Sequence, residues 1–264
     1  MSTTKRAPMP NDKRRIIIMV ATALMCVLAT VGLTVFAFSF LPVTKVELSG
    51  VTDFDKAEIV KLSGIKMGDK LYSIKTGEVE EHLMEVCPRF EKVEVKTKFP
   101  NTVVFRVTEK IPMWYIDVSD SYYVLDSKLE IIDEVQTKEH FREMGVPELV
   151  LPHVHSVLLG ELPEFGDPEN EERSDVESAL EFVSAVQRTT FRARITTVDV
   201  SNRFDVKIVV DGKYYVQMGD VSNTEAKLKA VNVILTSDKL KDCDAAEIYA
   251  ADPATVTYRP LYNE

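Results

Sequence analysis

The stretch KVEVKTKFPNTVVFRVTEKIP, residues 92–112, decides how the chain is read. Val93 and Val95 alternate with Glu94 and Lys96, and Val103, Phe105 and Val107 alternate again after Phe99-Pro100-Asn101-Thr102. Period-two alternation on both sides of a Pro-Asn turn predicts a β-hairpin with one buried and one wet face. Upstream, Val43 to Ser49 reads as a strand with Val46 and Leu48 on one face, ended by Gly50. Asp55 is placed to cap a helix that buries Ile59, Val60 and Leu62, with Glu58 at the third helical position and Gly64 at its C-terminal end. Thr76 is placed to cap a second helix, with Val79, Leu83 and Val86 as its buried stripe, and Pro88 stops it. The expected unit is a three-stranded sheet covered by two helices.

Before this unit lies IIIMVATALMCVLATVGLTVFAFSFL, Ile16 to Leu41, 26 residues without a charge. A helix needs about 20 apolar residues to cross a bilayer. The run competes with a cleaved signal peptide, for which Ala37-Phe38-Ser39 is a passable site, but it exceeds the usual apolar core of about 7–15 residues. It is therefore read as an uncleaved transmembrane helix. Lys13-Arg14-Arg15 directly precede it. The positive-inside tendency then puts the N-terminus in the cytoplasm and everything after Pro42 outside.

Charge follows the same division. Residues 1–41 carry a net +4 and the whole chain −10, which leaves −14 on residues 42–264. An acidic body argues against nucleic acid, whose phosphates need a basic face. Three cysteines, Cys26, Cys87 and Cys243, are no disulfide framework, and Cys87 and Cys243 read as buried small hydrophobes.

Beyond residue 112 the pattern is mostly β. Trp114 to Val118, Tyr122 to Leu125 and Leu129 to Val135 are candidate strands, with Asp126-Ser127-Lys128 as a turn. Glu161 to Glu181 holds nine acidic residues against Arg173 alone, and Asn170 to Arg188 reads as an amphipathic helix with a solvated acidic face. Val206 to Val210 and Lys213 to Met218 flank Asp211-Gly212, a two-residue hairpin signal. Ser222-Asn223-Thr224-Glu225 reads as a capping box for a helix burying Leu228, Val231 and Leu235. Ala246 to Ala250 and Val256 to Tyr258 are short strands, the second ending at Pro260.

No catalytic set emerges. His153 and His155 form a pair without the further ligands that a metal site needs, and His82 and His140 stand singly. Phosphate-loop spacing, G-x-S-x-G and the S-x-x-K set are missing, and Glu171-Glu172 lack apolar surroundings to raise a pKa. Binding through backbone remains: Ala246-Glu247-Ile248-Tyr249-Ala250 is short and flanked by small residues, and it reads equally as a sheet edge open to a partner strand or as an interior strand.

Taken in order, the residues resemble the FtsQ/DivIB family of cell-division proteins over nearly the whole chain. Val46-Glu47-Leu48-Ser49-Gly50 resembles the opening strand of that family's POTRA domain, and Cys87 to Val95 its P-x-V-x-x-A-x-V segment, departing at Phe90 and Val93. Phe99-Pro100-Asn101-Thr102-Val103 with Glu109-Lys110-Ile111-Pro112 resembles the P-N-T-L…E-R-x-P signature, Lys110 standing for Arg. Tyr123 to Asp126, Leu151-Pro152, Val216 to Gly219 with Lys227-Leu228, and Ala246 to Tyr249 resemble the later hairpin, the L-P step, the approach to the last helix and the distal strand.

The resemblance implies an α+β chain: a cytoplasmic tail at 1–15, a transmembrane helix at 16–41, a POTRA domain at 43–112 and a β-rich antiparallel domain with flanking helices at 113–262. It implies no catalysis and no cofactor. It implies a membrane-embedded scaffold at the division septum, working with single-span coiled-coil partners of the FtsB/DivIC and FtsL kinds. The implied partner site is the C-terminal edge strand, with Ala246, Glu247, Ile248, Tyr249, Ala250 and Tyr258. A POTRA-containing export or envelope-assembly factor is the alternative, and a membrane-tethered wall enzyme using His153 and His155 a third.

Overall fold

The computed structural model describes residues 11–38, 41–50, 54–137, 141, 145–166, 174–240 and 243–262. The chain divides into two compact units, residues 1–86 with 92–108, and residues 87–91 with 109–264. The expected tail is described from residue 11 onward, and the helix expected from Asn170 is described from Ser174; His140 and the Glu171-Glu172 pair lie outside the described residues.

The first unit opens with α1, Asn11–Phe38. Its segment Arg14–Phe36 has a mean hydropathy of 2.6 and is long and apolar enough to cross a membrane. The hydroxyls of Thr22, Thr30 and Thr34 donate to carbonyls one turn back at 2.9, 2.8 and 2.7 Å, so the helix satisfies its own polar groups, as a lipid-facing segment must.

After α1 come β1 (Lys45–Ser49), α2 (Lys56–Ser63), a 3-10 turn at Leu71–Ser73, α3 (Thr76–Val86), β2 (Phe90–Lys98) and β3 (Thr102–Glu109). The sheet order is β1-β3-β2, with β1 parallel to β3 and Lys45 opposite Thr102. The alternation read in the opening stretch is obeyed: Val93, Val95, Val103, Phe105 and Val107 are buried with Ile59, Leu71 and Leu83. The Asp55 carboxylate accepts the Glu58 N–H at 2.8 Å, and Gly64 ends α2 at φ 70°, the left-handed geometry that glycine adopts freely. Gly50 has a stricter reason. At φ 90°, a Cβ there would stand 2.0 Å from the Val107 carbonyl oxygen. Some expectations fail: Val60 and Leu62 of α2 are only half-buried, Thr76 is the first helical residue of α3 and not the residue before it, and on α3 Leu83 is buried and Val79 half-buried but Val86, the last residue, is exposed.

The second unit contains β4 (Trp114–Val118), β5 (Ser121–Leu125), β6 (Ile131–Val135), β7 (Glu148–Val150), β8 (Val154–Ser156), β9 (Glu164–Phe165), α4 (Ser174–Gln187), β10 (Ile195–Asp199), β11 (Val206–Val210), β12 (Tyr214–Gly219), α5 (Thr224–Leu235), β13 (Ala245–Tyr249) and β14 (Thr257–Leu261). Among the described residues a nine-stranded sheet runs β14-β13-β12-β11-β10-β7-β4-β5-β6, and β8 pairs with β9 separately. The sheet is mixed, not purely antiparallel. β13 lies parallel to β12 and β10 parallel to β7 because a helical crossover separates each pair in the chain, and β4 is parallel to β7. Asp211 and Gly212 both have positive φ, 55° and 69°, and Lys213 N–H donates to the Val210 carbonyl at 3.1 Å; the hairpin forms where Asp-Gly predicts it, but with Val210 opposite Tyr214 the connection is three residues long, not two. One sheet face buries Trp114, Ile116, Val198, Ile208, Val216 and Ile248 in a core that includes Phe182, Val183, Val186, Leu228 and Val231 from the two helices.

Candidate functional site

A strand-addition site needs main-chain groups that point away from the sheet and have no strand beside them. The nine-stranded sheet has two ends. At the β6 end, Gly160 N–H donates to the Ile131 carbonyl at 2.7 Å and Ile131 N–H donates to the Glu161 carbonyl at 2.9 Å, so a loop already occupies part of that edge. In the small sheet of the first unit, the Glu80 carboxylate accepts the Val95 N–H of the outer strand at 2.6 Å. At the other end of the large sheet lies β14, with no strand on its outer side among the described residues.

This placement corrects the reading of the C-terminus. Ala246, Glu247, Ile248 and Tyr249 lie on β13, paired in parallel with β12 on one side and antiparallel with β14 on the other. They are interior, and Ala250 follows directly, buried. Of the residues named for the edge, Tyr258 alone is on it, opposite Ile248. Pro260 had read as a terminator; it lies inside β14, opposite Ala246.

Hydrogen-bond parity fixes what the edge offers. Ala246 N–H donates to Lys213 C=O at 3.1 Å and Ala250 N–H to Gln217 C=O at 2.8 Å, both toward β12. Alternate residues of a strand point their main-chain groups to opposite sides, so Ala246 and Ile248 turn theirs away from β14. Their opposite numbers, Pro260 and Tyr258, therefore turn theirs outward. Proline has no N–H to lose, and an outward-facing position is where a strand tolerates it. The edge presents the Tyr258 N–H and the carbonyls of Tyr258 and Pro260, with one donor missing.

Side chains at this end divide by face. Tyr258 packs against the core. On the opposite face Glu247 sits across from Arg259, whose Nη2 donates to Glu247 Oε2 at 2.6 Å, and the Tyr249 hydroxyl donates to the same oxygen. The Tyr249 hydroxyl, then the Arg259 guanidinium, hold the Glu247 carboxyl below the usual carboxylate range, and Glu247 in turn pushes the Tyr249 hydroxyl up. This cluster laces β13 to β14.

A second cluster sets the strand's position from below. The buried Lys227 ammonium donates to the Asp220 carbonyl at 2.8 Å and its carboxylate at 2.7 Å. Ser222 Oγ also donates to that carboxylate, at 2.6 Å, and so does not cap α5; Asn223, at φ 51°, stands at the cap without a side-chain bond. The expected capping box is absent because Asp220 takes the serine hydroxyl. Gly219, at φ 65°, lets Ala251 approach: a Cβ there would lie 3.1 Å from the Ala251 Cβ. The Val216 to Gly219 and Lys227-Leu228 motifs thus shape the turn against which β13 ends.

Elsewhere the chemistry is sparse. Among the described residues no group of three or more His, Cys, Asp or Glu is arranged to hold a metal. His153 and His155 are exposed, and His155 Nε2 lies 3.8 Å from the Glu164 carboxylate. Cys87 and Cys243 are free thiols, the first buried and the second partly so.

Residues 41–110 match the family described as POTRA domain, FtsQ-type. The cell division protein FtsQ of Corynebacterium glutamicum is 22% identical over 223 residues, covering 84% of this chain and 91% of that protein. The cell division protein DivIB of Clostridium botulinum is 23% identical over 243 residues, covering 91% and 90%. Among solved structures, the major extracytoplasmic domain of DivIB from Geobacillus stearothermophilus covers 48% of this chain at 11% identity, with a TM-score of 0.30, too slight a likeness to bear on the fold.

Proposed function

We propose that this chain, a member of the FtsQ/DivIB family of cell-division proteins, works as a non-catalytic, single-span scaffold of the division complex. In this reading residues 1–15 are cytoplasmic, residues 16–41 hold the span, and the POTRA unit and the β-rich unit stand outside, concentrated at the septum. The partners are single-span coiled-coil division proteins of the FtsB/DivIC and FtsL kinds, and the scaffold helps coordinate septal wall synthesis. The observation that carries the partner site is the open β14 edge, where Tyr258 turns its N–H and C=O outward while β13 holds the strand from behind.

The test compares two variants at one position. Tyr258→Ala removes the phenol ring and keeps the outward N–H; Tyr258→Pro removes both. Full-length chains are used to capture division proteins from solubilised membranes. A net main-chain hydrogen bond of about 1 kcal/mol corresponds to about a fivefold change in affinity. The proline variant is expected to recover about fivefold less partner than the alanine variant. Equal recovery by two variants of matched melting temperature would remove the site from β14. Capture of no division protein by the unsubstituted chain would remove the scaffold reading itself.

A further inference from the structure

We infer that the end of the POTRA unit nearest α1 is a lipid-binding surface that docks on the anionic headgroup layer of the membrane that α1 crosses. The inference rests on the single-span reading above and assigns a role to side chains which that reading leaves unused. Three segments meet at this end. Leu71 N–H donates to the Leu41 carbonyl at 2.9 Å and Gly68 N–H to the Val43 carbonyl at 2.9 Å, pinning loop 64–75 to the residues that follow the end of α1 at Phe38. Thr44 N–H donates to the Asn101 carbonyl at 3.0 Å, bringing the β2–β3 turn to the same place.

Covalent reach sets the distance to the lipid. From Phe38, where α1 ends, to Leu41 is three residues, at most about 11 Å of extended chain. The headgroup region on each side of a bilayer is roughly 5–8 Å deep. The loop hydrogen-bonded to Leu41 is therefore held within side-chain reach of that layer.

The side chains there suit an interface. Outside α1, the first unit's most exposed large apolar residues among those described are Met67 at 60%, Tyr72 at 60% and Phe99 at 55%, and all three sit on these pinned segments. Over residues 41–47, 64–75 and 96–101 there are six lysines against two carboxylates, in a chain of net charge −10. Lys45 and Lys98 share Glu47 at 2.7 and 3.7 Å, Lys75 pairs with Glu78 at 2.6 Å and Lys96 with Glu94 at 3.2 Å; Lys66 and Lys70 flank Met67 and Tyr72 on the loop itself, and both are exposed. Aromatic rings at headgroup depth with lysines reaching the phosphates are the pattern of a membrane-interface anchor.

Hydroxyl-radical footprinting of the full-length chain reads these side chains directly. The chain is placed in nanodiscs of phosphatidylcholine alone, or of phosphatidylcholine with phosphatidylglycerol. One basic residue at an anionic surface corresponds to about a fivefold preference. Oxidation of Met67 and Tyr72 is expected to slow about fivefold or more when phosphatidylglycerol is present, and Lys66→Gln with Lys70→Gln to erase the difference. Phe204, exposed in the second unit, serves as the unchanged reference. Equal oxidation of Met67 and Tyr72 in both lipids, with Met19 and Met25 of the span protected, overturns this inference and leaves the scaffold reading standing. Met19 and Met25 oxidised as fast as Phe204 would overturn the span, and both readings with it.

Discussion

Pro260→Ala gives the proposed partner edge a donor that it lacks. The parity of β13 and β14 turns the main-chain groups of residue 260 away from the sheet, so the new N–H faces whatever strand is added. This holds for either strand direction, since an outward residue offers its N–H to a parallel or an antiparallel neighbour. A net N–H···O bond contributes about 0.5–1.5 kcal/mol, which tightens partner binding by roughly 2- to 13-fold. The folded chain pays separately, because releasing the proline ring loosens the unfolded state and costs about 0.4–1 kcal/mol of stability. The two effects have opposite signs, which makes the result hard to imitate by general damage. Titration of the full-length variant with the captured partner's extracytoplasmic segment gives the dissociation constant, and chemical denaturation gives the stability. Affinity unchanged or weaker, with stability lowered by the expected amount, would refute the assignment of residue 260 to the binding edge. The same substitution should raise self-association by sedimentation, because an edge proline guards against pairing with a second copy.

Other perturbations test the fold that holds this edge. Gly50→Ala, whose Cβ would stand 2.0 Å from the Val107 oxygen, is expected to lower the melting temperature of the first unit by the equivalent of 3 kcal/mol or roughly more, leaving the second unit's transition in place. Phe105→Asp buries a charge in a fully covered position and should abolish that first transition in calorimetry. Asp220→Ala leaves the buried Lys227 ammonium with only a carbonyl and is expected to cost about 2 kcal/mol by denaturant titration, less than a fully buried pair because Asp220 is half exposed, whereas Lys227→Met should stay within about 1 kcal/mol. Asp220 is held down to about 2 by the Lys227 ammonium and then the Ser222 hydroxyl. A folded-state value below the ordinary one stabilises above the ordinary value, and that contribution is lost as pH falls toward 2. Acid unfolding followed between about pH 4 and 2 should therefore flatten in Asp220→Asn.

The first unit was legible because its signals are local. Alternation around Val93 and Phe105, the Asp55 cap and Gly64 each need only neighbours in sequence, and the structure keeps all of them. Local signals failed where a distant group outbid them. Ser222 and Glu225 have the spacing of a capping box, but Asp220, already drawn to Lys227, accepts the serine hydroxyl instead. The parallel ladders of the large sheet were hidden for a related reason: alternation reports which face is buried and nothing of strand direction.

The proposed partner edge was the least legible feature, and Pro260 shows why. Read locally, a proline two residues after Tyr258 stops a strand, and residues 246–250 read equally as an edge or as an interior strand. A proline inside a strand can also be read as a statement of geometry: its nitrogen must face away from the neighbouring strand. Pro260 donates no ladder bond, so with β13 paired on one side its phase faces the unpaired side, and Tyr258, two residues earlier, shares that outward phase. With Ala246 bonded toward β12, both constraints agree on one register. Pro260, which reads in the sequence as the end of a strand, lies inside β14 and shares the outward phase of the main-chain groups that the proposed edge presents.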